Sequence, residues 1–92
     1  MALAPDSAAI LDTNGILLSG QGQAEEALKH FREALKLAPE IPQIRLHLAR
    51  ALVGARAYEE ARSVLNGVAG DGLPTAERTE FEALEAELRE AP

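Results

Sequence analysis

The sequence repeats itself at a spacing of 34 residues, and a period of that length is met by stacks of small supersecondary units rather than by a sheet or a single closed core. Displaced by 34 residues, Leu3-Ala4-Pro5-Asp6 falls on Leu37-Ala38-Pro39-Glu40, Ile10 on Ile44, Leu18 on Leu52, Glu25-Glu26-Ala27 on Glu59-Glu60-Ala61, and Phe31 on Leu65. Any one coincidence carries little. Their agreement on a single offset carries the argument, because chance similarity scatters over many offsets.

Each unit reads as two helices. The first spans about residues 6–19, with Asp6 or Ser7 as its cap and Ile10, Leu11, Leu17 and Leu18 at helical spacing. Gly20-Gln21-Gly22 ends it, since glycine accepts the left-handed conformation that follows a helix. The second spans about 23–37, with Ala27, Leu28, Phe31, Ala34 and Leu35 as a stripe at steps of three and four, and Pro39 stops it. The second unit repeats the plan. Pro42 opens a helix lined by Ile44, Leu48, Ala51 and Leu52, and another helix runs over about 58–68. Gly70-Asp71-Gly72-Leu73-Pro74 interrupts the period, and a fifth helix over about 75–89 carries a narrow stripe of Phe81, Leu84 and Leu88. The only aromatics are Phe31, Tyr58 and Phe81, so the core rests on Leu, Ile, Val and Ala, and small Ala faces suit helices in close contact.

These residues resemble the tetratricopeptide repeat family. The family's pattern of a bulky residue, Leu-Gly and an aromatic in the first helix, then Ala, aromatic, Ala and a closing Pro, is met by Leu11, Asn14-Gly15, Leu18, Ala27, Phe31, Ala34 and Pro39. Unit two supplies Leu48-Ala49, Leu52, Tyr58, Ala61, Leu65 and Val68. Three positions depart from the pattern: Asn14 stands in a Leu slot, Arg45 in an aromatic slot, and Arg56 where unit one has the turn glycine Gly22. The resemblance implies an all-α, right-handed α-α superhelix of two helix pairs plus a C-terminal capping helix. It divides the chain into residues 1–7 as the tail of a preceding repeat, 8–41 as repeat one, 42–69 as repeat two and 75–90 as the cap. On that reading the chain is the C-terminal portion of a longer bacterial-type array. The stretch Asp12-Thr13-Asn14-Gly15 also resembles the last units of long bacterial arrays, including those linked to exosortase and exopolysaccharide systems.

Little chemistry is legible. The glycines from Gly15 to Gly20 lack the Lys-Ser/Thr of a phosphate loop and lie on a helix, and Gly20-Gln21-Gly22 is too short for a dinucleotide fingerprint. His30 and His47 have no second ligand at metal spacing, and Ser7, Ser19 and Ser63 read as helix-end or surface residues. No catalytic residue, cofactor or metal is therefore expected, and no enzyme. The net charge of −6 is a poor footprint for nucleic acid or an anionic membrane surface. From Glu77 to Glu90 there are six Glu against two Arg, which reads as a solvated capping face. There is no cysteine, no apolar run of membrane length, and no signal-peptide pattern at the start, so cytoplasm and periplasm both remain open.

In the family, ligands meet the concave side lined by the first helix of each unit. The resemblance places Ala9, Asp12, Ile16 and Ser19 of unit one there, with Gln43, Leu46, Arg50 and Val53 of unit two. That face suits an extended or helical peptide. The expected function is a protein-interaction scaffold. The alternative is a structural cap on a longer array with partners bound elsewhere. A further expectation is a weak homodimer through the N-terminal helix pair, because the outer side of the first helix carries Ile10, Leu11 and Leu17 with Asn14 near them.

Overall fold

The computed structural model describes residues 5–68 and 72–91, and the side chains of that range from residue 7 onward. Five helices follow in order: α1 (Pro5–Gly20), α2 (Ala24–Leu37), α3 (Pro42–Gly54), α4 (Tyr58–Leu65) and α5 (Thr75–Glu90). No strand occurs among the described residues. Neighbouring helices pack in sequence, α1 on α2, α2 on α3, α3 on α4 and α4 on α5, and α3 additionally touches α1 and α5. The first helices of the units thus lie side by side in one layer, with α2 and α4 behind them.

The turns between paired helices show the repeat at atomic detail. After α1, Gln23 N–H donates to Leu18 O at 2.9 Å and Gly22 N–H to Ser19 O, with Gly22 at φ +80°. After α3, Ala57 N–H donates to Leu52 O at 2.9 Å and Arg56 N–H to Val53 O, with Arg56 at φ 63°. Both are the crossed pair of bonds that closes a helix through one left-handed residue. Arg56 holds that conformation without glycine's freedom, so the sequence departure at 56 changes the residue and keeps the turn.

Small residues set the helix contacts. Ala27, Ala34, Ala49 and Ala61 are fully buried. A Cβ added at Gly15 would stand 2.6 Å from Phe31 Cε1, which is closer than atoms pack, so the Phe31 ring rests directly on the α1 backbone. The main core joins Phe31, Leu46, Leu48, Leu52 and Leu65 to Phe81, Leu84 and Leu88, so α5 shares the core of both preceding helices. A second cluster of Ala8, Ala34, Ala38 and Ile44 closes the other side of α2.

Several expectations need adjustment. Helix α1 already includes Pro5, which leaves Asp6 and Ser7 within its first turn rather than at the cap. Helix α4 ends at Leu65 instead of reaching Val68, because Gly67 and Val68 N–H groups turn back to Val64 and Leu65 carbonyls. Gly67 accommodates the Arg45 guanidinium, 2.7 Å from where its Cβ would be, so the Arg in the aromatic slot is laid over a glycine. Residues 1–4 of the proposed tail at 1–7, and the interrupting Gly70-Asp71, lie outside the described residues.

Candidate functional site

The eight residues expected on the ligand-facing side do not form one surface. On α1, Ala9, Ile16 and Ser19 are exposed, and Asp12 is half-buried. On α3, Gln43 is half-buried and Arg50 exposed, but Leu46 is 0% exposed and Val53 only 9%. Leu46 belongs to the same core as Phe81 and Leu84, and it is corrected from a contact residue to a core residue. The reason is the place of α5: it lies against α3 and takes up the face that the sequence reading left open.

The two charged candidates are engaged within the chain. His47 Nδ1 donates to the Asp12 carboxylate at 2.9 Å from both oxygens, and both side chains are largely buried. The His47 ring also lies 6.2 Å from that of Phe31, centroid to centroid, tilted by 41°. Arg50 Nη1 donates to Glu80 Oε2 of α5 at 2.7 Å. Arg32 forks onto Glu60 between α2 and α4 in the layer behind, and Arg62 Nη2 of α4 donates to Leu88 O of α5 at 2.7 Å. The Asp12–His47, Arg50–Glu80 and Arg32–Glu60 contacts each join a helix to the next but one. Half-exposed pairs such as Arg32–Glu60 add only about 0–1 kcal/mol each.

What the first-helix layer does offer lies between α3 and α5. An open hollow of about 410 Å³ is lined by Arg50, Val53, Gly54, Glu80, Ala83, Leu84 and Glu87. Its floor is apolar, from the edges of Val53, Ala83 and Leu84, and its rim is ionic. The sequence reading found Arg50 and Val53 and missed Glu80, Ala83, Leu84 and Glu87, because it treated the fifth helix as an end cap. The available signal was the apolar stripe of Phe81, Leu84 and Leu88, which packs into the core shared with α3 and α4. A second hollow of about 250 Å³ lies between α4 and α5, lined by Arg62, Leu65, Asn66, Glu85, Leu88 and Arg89. It opens between the two layers, and Arg62 there already donates to the Leu88 and Ala91 carbonyls.

Among the described residues no group of three or more His, Cys, Asp and Glu side chains could hold a metal ion. Among them too, no helix is long and apolar enough to cross a membrane.

A family profile described as tetratricopeptide repeat matches residues 18–88. The chain is similar to surface lipoprotein assembly modifier 1 of Neisseria meningitidis serogroup B, at 32% identity over 85 residues, which are 92% of the chain and 17% of that protein. It is also similar to the probable biofilm formation methyltransferase WspC of Pseudomonas putida, at 39% identity over 62 residues, covering 61% of the chain and 15% of that protein. The chain therefore spans about a sixth of the length of these two curated relatives. No solved structure matches.

Proposed function

The chain belongs to the tetratricopeptide repeat family, and we propose from that premise that it is a protein-interaction module seating a peptide segment in the hollow between α3 and α5. Repeats of this family generally mediate contacts between proteins. The observation that carries the more specific reading is the hollow itself, an apolar floor of Val53, Ala83 and Leu84 with a rim of Arg50, Glu80 and Glu87. Apolar floors hold side chains of an extended segment, and rim charges select its register. Glu87 supports a cationic residue in the ligand, while Arg50 is held by Glu80. The exposed row of Ala9, Ile16 and Ser19 on α1 extends the same layer and is the second contact region of this reading.

A relative named for surface lipoprotein assembly suits a module that holds another protein, and the relative named as a methyltransferase is matched over only 15% of its length. On this reading the chain acts by binding, without catalysis. The second reading, a structural cap on a longer array, draws support from Leu46 and Arg50, which serve α5 rather than an open groove. An exosortase or exopolysaccharide setting belongs with that second reading.

Selection of a random peptide library on the 92-residue chain tests the choice. Selected peptides should carry Lys or Arg beside small apolar residues. They should lose binding to Ala83→Trp, which fills the hollow from an exposed position, and weaken against Glu87→Gln. Selected peptides that bind Ala83→Trp as well as the parent chain would remove the hollow from the proposal. Failure to select any peptide would favour the cap.

A further inference from the structure

Resting on the reading of the hollow between α3 and α5 as the contact site, we infer that its ligand is a dibasic segment, with one cationic residue on each side of an apolar one. Arg50 holds the place of one of those cations while the hollow is empty. Both walls of the hollow belong to this chain, α3 on one side and α5 on the other.

Glu80, Ala83, Leu84 and Glu87 stand at steps of three and four on α5, so they share one face, with a carboxylate at each end and small or apolar side chains between. Seven residues of helix set the two carboxylates about 10 Å apart along the axis. In an extended segment alternate side chains point the same way, and the first, third and fifth together span about 13 Å. The long stems of Lys and Arg take up the difference. The third side chain then lies over Val53, Ala83 and Leu84, where an apolar group suits the floor. A Cβ at Gly54, which borders that floor, would meet nothing within 4 Å, so among the described residues nothing closes this edge.

The two carboxylates differ in what they hold. Glu87 has no ion pair among the described residues. Glu80 accepts from Arg50 Nη1 at 2.7 Å. That is a single bond, whereas Arg32 grips both carboxylate oxygens of Glu60 with Nε and Nη2. The Arg50 and Glu80 side chains are also open to water, at 48% and 32% exposure. An exposed pair of this kind contributes little and exchanges partners readily. The union of α3 with α5 does not depend on it, because Leu46, Val53, Phe81 and Leu84 belong to one core. Arg50 is thus a cation lying at one end of the floor, supplied by the chain itself, and a ligand's cation takes its place on Glu80.

Charge further afield favours the same ligand. The chain bears −6 in all, and from Glu77 to Glu90 there are six Glu against two Arg. Such a field draws in a basic segment and repels an acidic one.

Titration calorimetry at low salt tests this on the 92-residue chain. The probe is a capped heptapeptide, Ala-Arg-Ser-Val-Ser-Arg-Ala, with two controls in which one Arg or the other is Gln. The dibasic peptide should bind the parent chain more tightly than either control. It should bind Arg50→Gln about two- to fivefold more tightly than the parent, since an exposed ion pair no longer has to be given up. Glu80→Gln should erase the advantage of the dibasic peptide over the better control. Helical circular dichroism of both variants should match the parent, because the pair is half-exposed. Equal binding to the parent and Arg50→Gln overturns the inference. Weaker binding to Arg50→Gln also overturns it, by making Arg50 a direct contact of the ligand. In either case a loss of binding to Ala83→Trp keeps the hollow as the site. Binding undiminished by Ala83→Trp overturns the hollow and this inference together. A dibasic peptide that binds no better than its controls, or no binding by any of the three, overturns the dibasic chemistry and leaves the hollow to the library selection.

Discussion

His47 Nδ1 sits 2.9 Å from both carboxylate oxygens of Asp12, a contact between residues 35 apart that ties the first helix of one repeat to the first helix of the next. Both side chains are mostly withdrawn from solvent, at 17% and 15% exposure. Removing either leaves the other largely buried without its partner, which typically costs about 1–3 kcal/mol. Asp12→Ala and His47→Ala should each lower the urea midpoint by an amount in that range. The double variant should lose clearly less than the sum, because the second change has no bond left to break. Additive losses would show that the contact contributes nothing of its own.

Arg56 stands at φ 63°, where its counterpart Gly22 stands at φ +80°. A side chain in that region costs roughly 1–2 kcal/mol, partly offset because glycine is freer in the unfolded chain. Arg56→Gly should therefore raise stability by up to about 1 kcal/mol, and Gly22→Arg should lower it by a similar amount. Thermal melts of the two variants moving in the same direction would contradict the shared turn geometry.

Phe31 rests on Gly15 with no room for a methyl group, at 2.6 Å from the Cβ position. Gly15→Ala should destabilise by about 1–3 kcal/mol through overpacking. Phe31→Leu in the same chain should recover some of the loss, by taking away the ring atoms that collide. Chemical denaturation of the single and double variants reads both effects, and a Gly15→Ala chain as stable as the parent would show that α1 can move aside.

Ala27 and Ala61 occupy equivalent sites 34 residues apart and are both fully buried. Ala27→Trp and Ala61→Trp should each loosen or unfold the chain, since an indole there must push the facing helices apart. The loss of helical circular dichroism, or a broad melt at lower temperature, is the expected readout. Unchanged melting temperatures for both would mean that helices do not meet at these positions.

Arg62 Nη2 closes the end of α5 by donating to Leu88 O at 2.7 Å, with Ala91 O at 3.4 Å. Arg62→Met keeps much of the stem and removes the donors. It should cost about 1.5–3 kcal/mol, the worth of a hydrogen bond made by a charged group. Amide exchange should rise selectively over the last turn of α5. A uniform rise across all helices would mean that Arg62 acts on the whole core instead.

Whatever is local or periodic in this protein was legible from its residues alone. The 34-residue period, the five helices to within a few residues, the buried stripes of α2 and α5 and the close-approach sites at Gly15, Ala27, Ala49 and Ala61 all follow from spacing and side-chain size. The turn at Gly22 was legible because glycine marks a left-handed residue, whereas the same turn at Arg56 carries no such mark. Whatever depends on how one repeat lies beside the next came from the packed fold. Nothing near Asp12 in the chain points to His47, nor anything near Arg50 to Glu80, since their partners are 35 and 30 residues away and belong to other helices. Leu46 shows the limit most clearly. Its helix was legible, yet its burial follows from α5 lying across α3, past an interruption that breaks the period. Periodicity reports which face of a helix is apolar; only the packed neighbours determine which of those faces are covered.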